Sequence, residues 1–188
     1  VVYSRYLGAF SPVTAALAPN GDIWALSFRP GALERVETTY DLAPGSGATP
    51  AFLLRLDGRN GCVLSVTRML LAWSSGVSST QAPRMAVDSR GAIWLGGVAS
   101  TPLPVTPDAA QDSATIRLSQ NSNDQGTFPG SLIRFSPNGD SIEYATYLGD
   151  GEDAVASIAI DAIGNVYAVG SRVWKFASTG KLLWSTWI

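Results

Sequence analysis

Short apolar runs, each closed by a group of turn-forming residues, succeed one another along the whole chain. Val, Ile, Leu, Phe, Tyr and Trp dominate the runs, and these are the residues that suit a pleated, half-buried surface. Strands joined by tight turns are therefore expected throughout. Nineteen Gly and eleven Pro among 188 residues fit many short elements and disfavour long helices.

The turns recur. Segments 17–24, 87–94 and 160–167 align on Gly21, Gly91 and Gly164, which lie roughly seventy residues apart. A second set aligns Leu54-Arg55-Leu56 leading to Gly61, Ile133-Arg134-Phe135 leading to Gly139, and Trp174-Lys175-Phe176 leading to Gly180. Ala18, Asp88, Ser136 and Asp161 stand three residues before a glycine, with Pro19 or Pro137 in the second position of two of these turns, as type I turns prefer. Each glycine is free to take the positive φ that closes such a hairpin. Two kinds of hairpin thus alternate, and each unit has four strands, a to d.

Strand d carries an aromatic signature. Tyr3 and Tyr6, Tyr144 and Tyr147, and Trp184 and Trp187 are paired three residues apart, with Val66 and Met69 as counterparts in the first full unit. An odd spacing sends the two rings to opposite faces of a sheet, so both faces need cover. A four-stranded sheet covered on both sides by copies of itself is a β-propeller blade. The expected fold is all-β: antiparallel meander blades in an incomplete ring of about three. Segment 1–8 is expected to be the outer strand of a preceding blade, followed by a degenerate blade at 11–71, a second at 82–148 and a short third at 154–188.

Segment 144–170, with its Tyr-Leu-Gly-Asp-Gly-Glu-Asp linker, Ile158-Ala159-Ile160-Asp161 and Val166-Tyr167-Ala168-Val169-Gly170, resembles the bacterial seven-bladed β-propeller repeat known as SBBP. Pro104-Val105-Thr106-Pro107-Asp108-Ala109-Ala110-Gln111 is similar to that family's proline-rich loop, which more often has Phe where Ala110 stands. The resemblance implies a repeat region of a secreted or cell-surface bacterial protein, with no fixed catalytic residues.

Thirteen basic against fifteen acidic residues remove the electrostatic footprint of a nucleic-acid binder. No run is long enough to span a membrane as a helix. Histidine, the commonest general base and metal ligand, is missing, and the single Cys62 permits neither an internal disulfide nor a thiolate cluster. The chain begins without methionine and reads as a piece of something longer, with any export signal upstream.

Loop length points to one end of the blades. The b-to-c connections, 27–50 and 98–130, hold nearly all the length variation, and long loops on one face of a rigid ring suit recognition. Phe28, Tyr40, Asn121, Asn123 and Phe128 are the candidate contact residues there. Asp150, Glu152 and Asp153 form an acidic cluster with oxygen ligands that could help bind calcium, although their spacing matches no EF-hand loop and a solvated linker accounts for them better. The recurring Asp88 and Asp161 read as turn residues, and Trp24, Trp94 and Tyr167 as packing residues. Nothing supplies a nucleophile with its base.

The expected function is therefore a non-catalytic scaffold that meets a protein or glycan on its long-loop face. Its missing blades would come from a longer chain or a second copy. The alternative is a fragment of a propeller enzyme, quinoprotein-like or lyase-like, with catalytic residues elsewhere. Thr179-Gly180-Lys181 with Trp184 is similar to a quinoprotein docking motif, and Asp22-Ile23-Trp24 to strands of the streptogramin-lyase-like propellers.

Overall fold

A computed structural model describes residues 12–28, 38–41, 51–69, 82–99, 102–115, 128–149, 151 and 153–188. Its secondary structure is strands alone: β1 (Pro12–Leu17), β2 (Ile23–Ser27), β3 (Thr38–Asp41), β4 (Ala51–Leu56), β5 (Val63–Met69), β6 (Arg84–Val87), β7 (Ile93–Val98), β8 (Gly130–Phe135), β9 (Ile142–Leu148), β10 (Ser157–Ile160), β11 (Val166–Val169), β12 (Arg172–Phe176) and β13 (Leu182–Trp187). They form three sheets. β6-β7-β8-β9 and β10-β11-β12-β13 are four-stranded antiparallel meanders, and the first sheet runs β1-β2-β4-β5 with β3 added at its outer edge. The chain is an all-β array of propeller blades in an open ring.

The turns carry the expected chemistry. Gly21, Gly91 and Gly164 each donate a backbone hydrogen bond to the carbonyl three residues earlier, as do Gly139 and Gly180, and all five have positive φ. Asp88 Oδ1 accepts from the amides of Arg90 and Ala92, and Asp161 Oδ1 from those of Ile163 and Asn165. These carboxylates replace partners that a tight turn denies its own backbone.

Two apolar layers join the sheets. The first contains Trp24, Leu26, Leu53 and Met69 from one sheet with Ile93, Leu95, Ile133 and Phe135 from the next. The second contains Trp94, Leu132, Tyr144 and Leu148 with Val155, Val166, Ala168, Trp174 and Phe176. Each large side chain hidden in these layers contributes about 2–3 kcal/mol through removal from water. Gly96 permits the second layer: a Cβ there would lie 2.7 Å from Ile158 Cδ1 and from Val155 Cγ1.

The register corrects one sequence alignment. Arg55 pairs with Ser65, Arg134 with Tyr144, and Lys175 with Trp184. The positions equivalent to Tyr144 and Tyr147 in the first sheet are therefore Ser65 and Arg68, not Val66 and Met69. Aromatic matching misplaced them by one residue, which in a strand is the opposite face. Val66 accordingly sits with Ala25, Phe52, Leu54 and Leu56 on the face turned away from the second sheet. Segment 1–8 lies outside the described residues.

Candidate interaction surface

A three-residue row crosses each sheet on the face toward the following one. In the second sheet it is Trp94, Arg134 and Tyr144, on neighbouring strands. Arg134 lies 5.7 Å from the Trp94 ring centroid, and the Trp94 and Tyr144 rings are 6.3 Å apart. Glu143 pairs with Arg134 at 2.9 Å. In the first sheet the row is Trp24, Arg55 and Ser65, with Arg55 5.9 Å from the Trp24 ring and paired with Asp22 at 2.7 Å. In the third it is Tyr167, Lys175 and Trp184, with the ammonium 5.1 Å from the Tyr167 ring and the two rings 6.4 Å apart. Tyr167 also holds the Lys175 ammonium above its ordinary pKa through a hydrogen bond. A cation over an aromatic face is attracted by the ring quadrupole.

The first two rows are covered and the third is open. A Cβ on Gly139 would lie 2.8 Å from Trp24, and one on Gly180 2.5 Å from Tyr144. Thr67 Oγ1 also donates to the Gly139 carbonyl at 2.6 Å. Thus the c-to-d turn of one sheet seats on the aromatic row of the sheet before it. Among the described residues nothing seats on the third row, and Trp184 is 45% exposed. On the other face of the same strand Trp187 is 64% exposed and stacks under Arg172 at 3.5 Å.

The long connections behave differently from free recognition loops. β3, inside the first, pairs parallel with residues 65–68 of β5. In the second, segment 103–111 lies along β9. Thr106 N donates to Ala145 O and Tyr147 N to Gln111 O, each at 3.1 Å. Leu103 N donates to the Tyr147 hydroxyl at 2.9 Å and Ala110 N to the Tyr144 hydroxyl at 3.2 Å. Thr146 Oγ1 accepts from Gln111 N and donates to Gln111 O. Two tyrosines on opposite faces therefore reach round one edge and hold the same strip of chain. Burial raises the Tyr144 phenol above its ordinary pKa, against the lowering effect of the Ala110 amide.

Phe28 and Phe128, expected among the loop contacts, each turn part of their surface to the core. Both are partly buried against the first apolar layer, because each follows or precedes a strand end that points into it. Tyr40 lies in β3, while Asn121 and Asn123 lie outside the described residues. In the acidic cluster, Asp150 and Glu152 are likewise outside them. Asp153 is buried and not solvated: it accepts from the Ser171 hydroxyl and faces Arg172 Nε at 3.8 Å. No grouping of three metal-ligating side chains occurs among the described residues. At the turn end, a cleft of about 210 Å³ between the first two sheets is bordered by Asn20, Trp24, Arg55, Arg90 and Asn138. Its cations are engaged, Arg55 by Asp22 and Arg90 by the Ser178 carbonyl at 3.0 Å.

No protein-family model and no curated protein sequence matches the chain. Among solved structures, a GH43 protein from Bacillus licheniformis, BlXynB, is similar over 99% of this chain at 11% identity and a TM-score of 0.47. This chain spans 33% of that protein. A gluconolactonase from Xanthomonas campestris is similar over 95% of this chain and 76% of its own at 15% identity, with a TM-score of 0.25.

Proposed function

We propose that this chain is a non-catalytic stretch of a propeller repeat, of the SBBP kind, in a secreted or cell-surface bacterial protein. Its role is recognition of a protein or glycan, which takes on the row of the third sheet the place that a following sheet takes on the rows of the first two. The open row of Tyr167, Lys175 and Trp184 carries the reading. It repeats the arrangement that two other sheets use for stacking, and it offers two rings and a cation to whatever meets it. Its exposed aromatic surface is the kind that marks an interaction site. The recurring acidic residues support the same view, since Asp88 and Asp161 are occupied in closing turns.

The test is a screen of the immobilised chain against glycan and protein arrays, run beside Trp184→Ala and paired with apolar-dye binding. Binding that weakens in the variant supports recognition through this row. Silence on both arrays, with no dye bound by the wild type, overturns it.

A further inference from the structure

The edge of β13 makes a separate demand from the face of its sheet. In the first sheet, β3 covers residues 65–68 of the outermost meander strand. In the second, segment 103–111 covers residues 144–147. The cross-strand register makes these the same four positions, and their counterparts in the third sheet are Trp184 to Trp187. That sheet has only Gly170 and Ser171 between β11 and β12, too short a connection to supply a covering strip. Leu183 to Trp187 are exposed.

Among the described residues nothing pairs with this edge, and it keeps the fittings of the covered ones. Ala145 and Tyr147 turn their backbone groups outward to the strip, so Ser185 and Trp187, in the same register, turn theirs outward too. Thr186 stands where Thr146 stands, and its hydroxyl lies 3.4 Å from the carbonyl of Trp187. One chemical difference stands out. Where Tyr144 and Tyr147 offer hydroxyl oxygens to backbone amides, Trp184 and Trp187 have indole N–H groups, which only donate.

We propose that the β13 edge binds an extended peptide segment of a partner protein, as an added strand clasped between Trp184 and Trp187. Main-chain hydrogen bonds to Ser185 and Trp187 give the affinity, as in strand addition generally. The indoles select a segment that presents carbonyl oxygens where the strip on β9 presents amides. The occupant is a peptide because in both other sheets this place is filled by one extended piece of chain. The proposal shares Trp184 with the stacking row but is read at the outward backbone groups of Ser185 and Trp187, so its failure is distinguishable from a failure of the row.

The probe is a synthetic peptide of residues 102–113, added to the full chain while the amide resonances are followed. Saturable changes confined to Ser185, Thr186 and Trp187 support the proposal. The double variant Trp184→Tyr with Trp187→Tyr regains both hydroxyl acceptors and should bind this peptide more tightly, about two- to tenfold for each hydrogen bond restored. Ser185→Pro removes an outward N–H and should abolish the changes while melting as the wild type does. Changes centred elsewhere, or none in either the wild type or the double variant, overturn the proposal. So does protection of these amides that grows with protein concentration and without peptide, since the occupant is then a second copy.

Discussion

Gly180 lies so close to Tyr144 that a Cβ on the glycine would fall 2.5 Å from the Tyr144 Cδ2 atom. The contact joins two features separated in sequence, a turn that needs positive φ and a ring that needs cover. Gly139 repeats it on Trp24, and Thr67 fixes that turn through its carbonyl. In these two places the stacking of sheets depends on a missing side chain.

Gly21 and Gly180 separate the two requirements. Both have positive φ, but a Cβ on Gly21 would meet nothing within 4 Å. Gly21→Ala should lower stability by about 1 kcal/mol, the cost of a left-handed backbone for an L-residue. Gly180→Ala adds overpacking and should lose about 2–4 kcal/mol in denaturant unfolding. Equal losses would remove the packing role given to Gly180.

Gly96 should behave as a spacer between the second and third sheets. Gly96→Ala is expected to lose about 1–3 kcal/mol, because its methyl group enters the space of Val155 and Ile158. Combining it with Ile158→Ala should recover part of that loss in a double-mutant cycle. Strict additivity would mean that the two sheets do not meet there.

The Tyr144 phenol predicts a response to alkali. Its folded pKa is raised, chiefly by burial, so its neutral form is the one the fold favours. Stability from this group is fully present below the unfolded value of 10.0 and is lost as pH rises through the higher folded value. Tyr144→Phe should cost about 1 kcal/mol at neutral pH, through the Ala110 amide it leaves unpaired, and should flatten the alkaline limb of the melting curve.

Asp161 gives the opposite dependence. Burial alone would raise its pKa, but hydrogen bonds from Asn165, Tyr167 and Ile163 outweigh that and hold it below the ordinary 3.8. Its contribution is present above the unfolded value and is lost as pH falls through the folded one. Carboxyl NMR titration should place its midpoint below 3.8, and Asp161→Asn should reduce the loss of stability in acid. A midpoint at or above 3.8 contradicts the hydrogen-bonded turn.

Much of this was legible in the sequence because it is local. The glycine spacing, the turn aspartates and the paired aromatics each act within a few residues, and Tyr144 and Tyr147 do lie on opposite faces. Leu54-Arg55-Leu56, Ile133-Arg134-Phe135 and Trp174-Lys175-Phe176 also carried the cation of every row in plain view. Its meaning needed the facing strand, since Trp24 meets Arg55 only through pairing. The covering strips were hidden for a related reason. Segment 103–111 has no strand alternation of its own, and its place on β9 depends on hydroxyl groups more than thirty residues away. The partial burial of Phe28 and Phe128 was hidden too, because an aromatic in a connection does not announce the layer beneath it.

The claim that the third sheet ends in a stacking face is tested most directly by giving it a sheet to stack on. A second copy of residues 149–188, with its own Trp184→Phe, is joined after Ile188, so that the junction repeats the one between Leu148 and Gly149. Oxidation of the original Trp184 is then followed by mass spectrometry. Its rate should fall to that of buried Trp174, and Gly180→Val in the added copy should restore it. An original Trp184 that reacts as fast in the extended protein as in the parent would contradict the account.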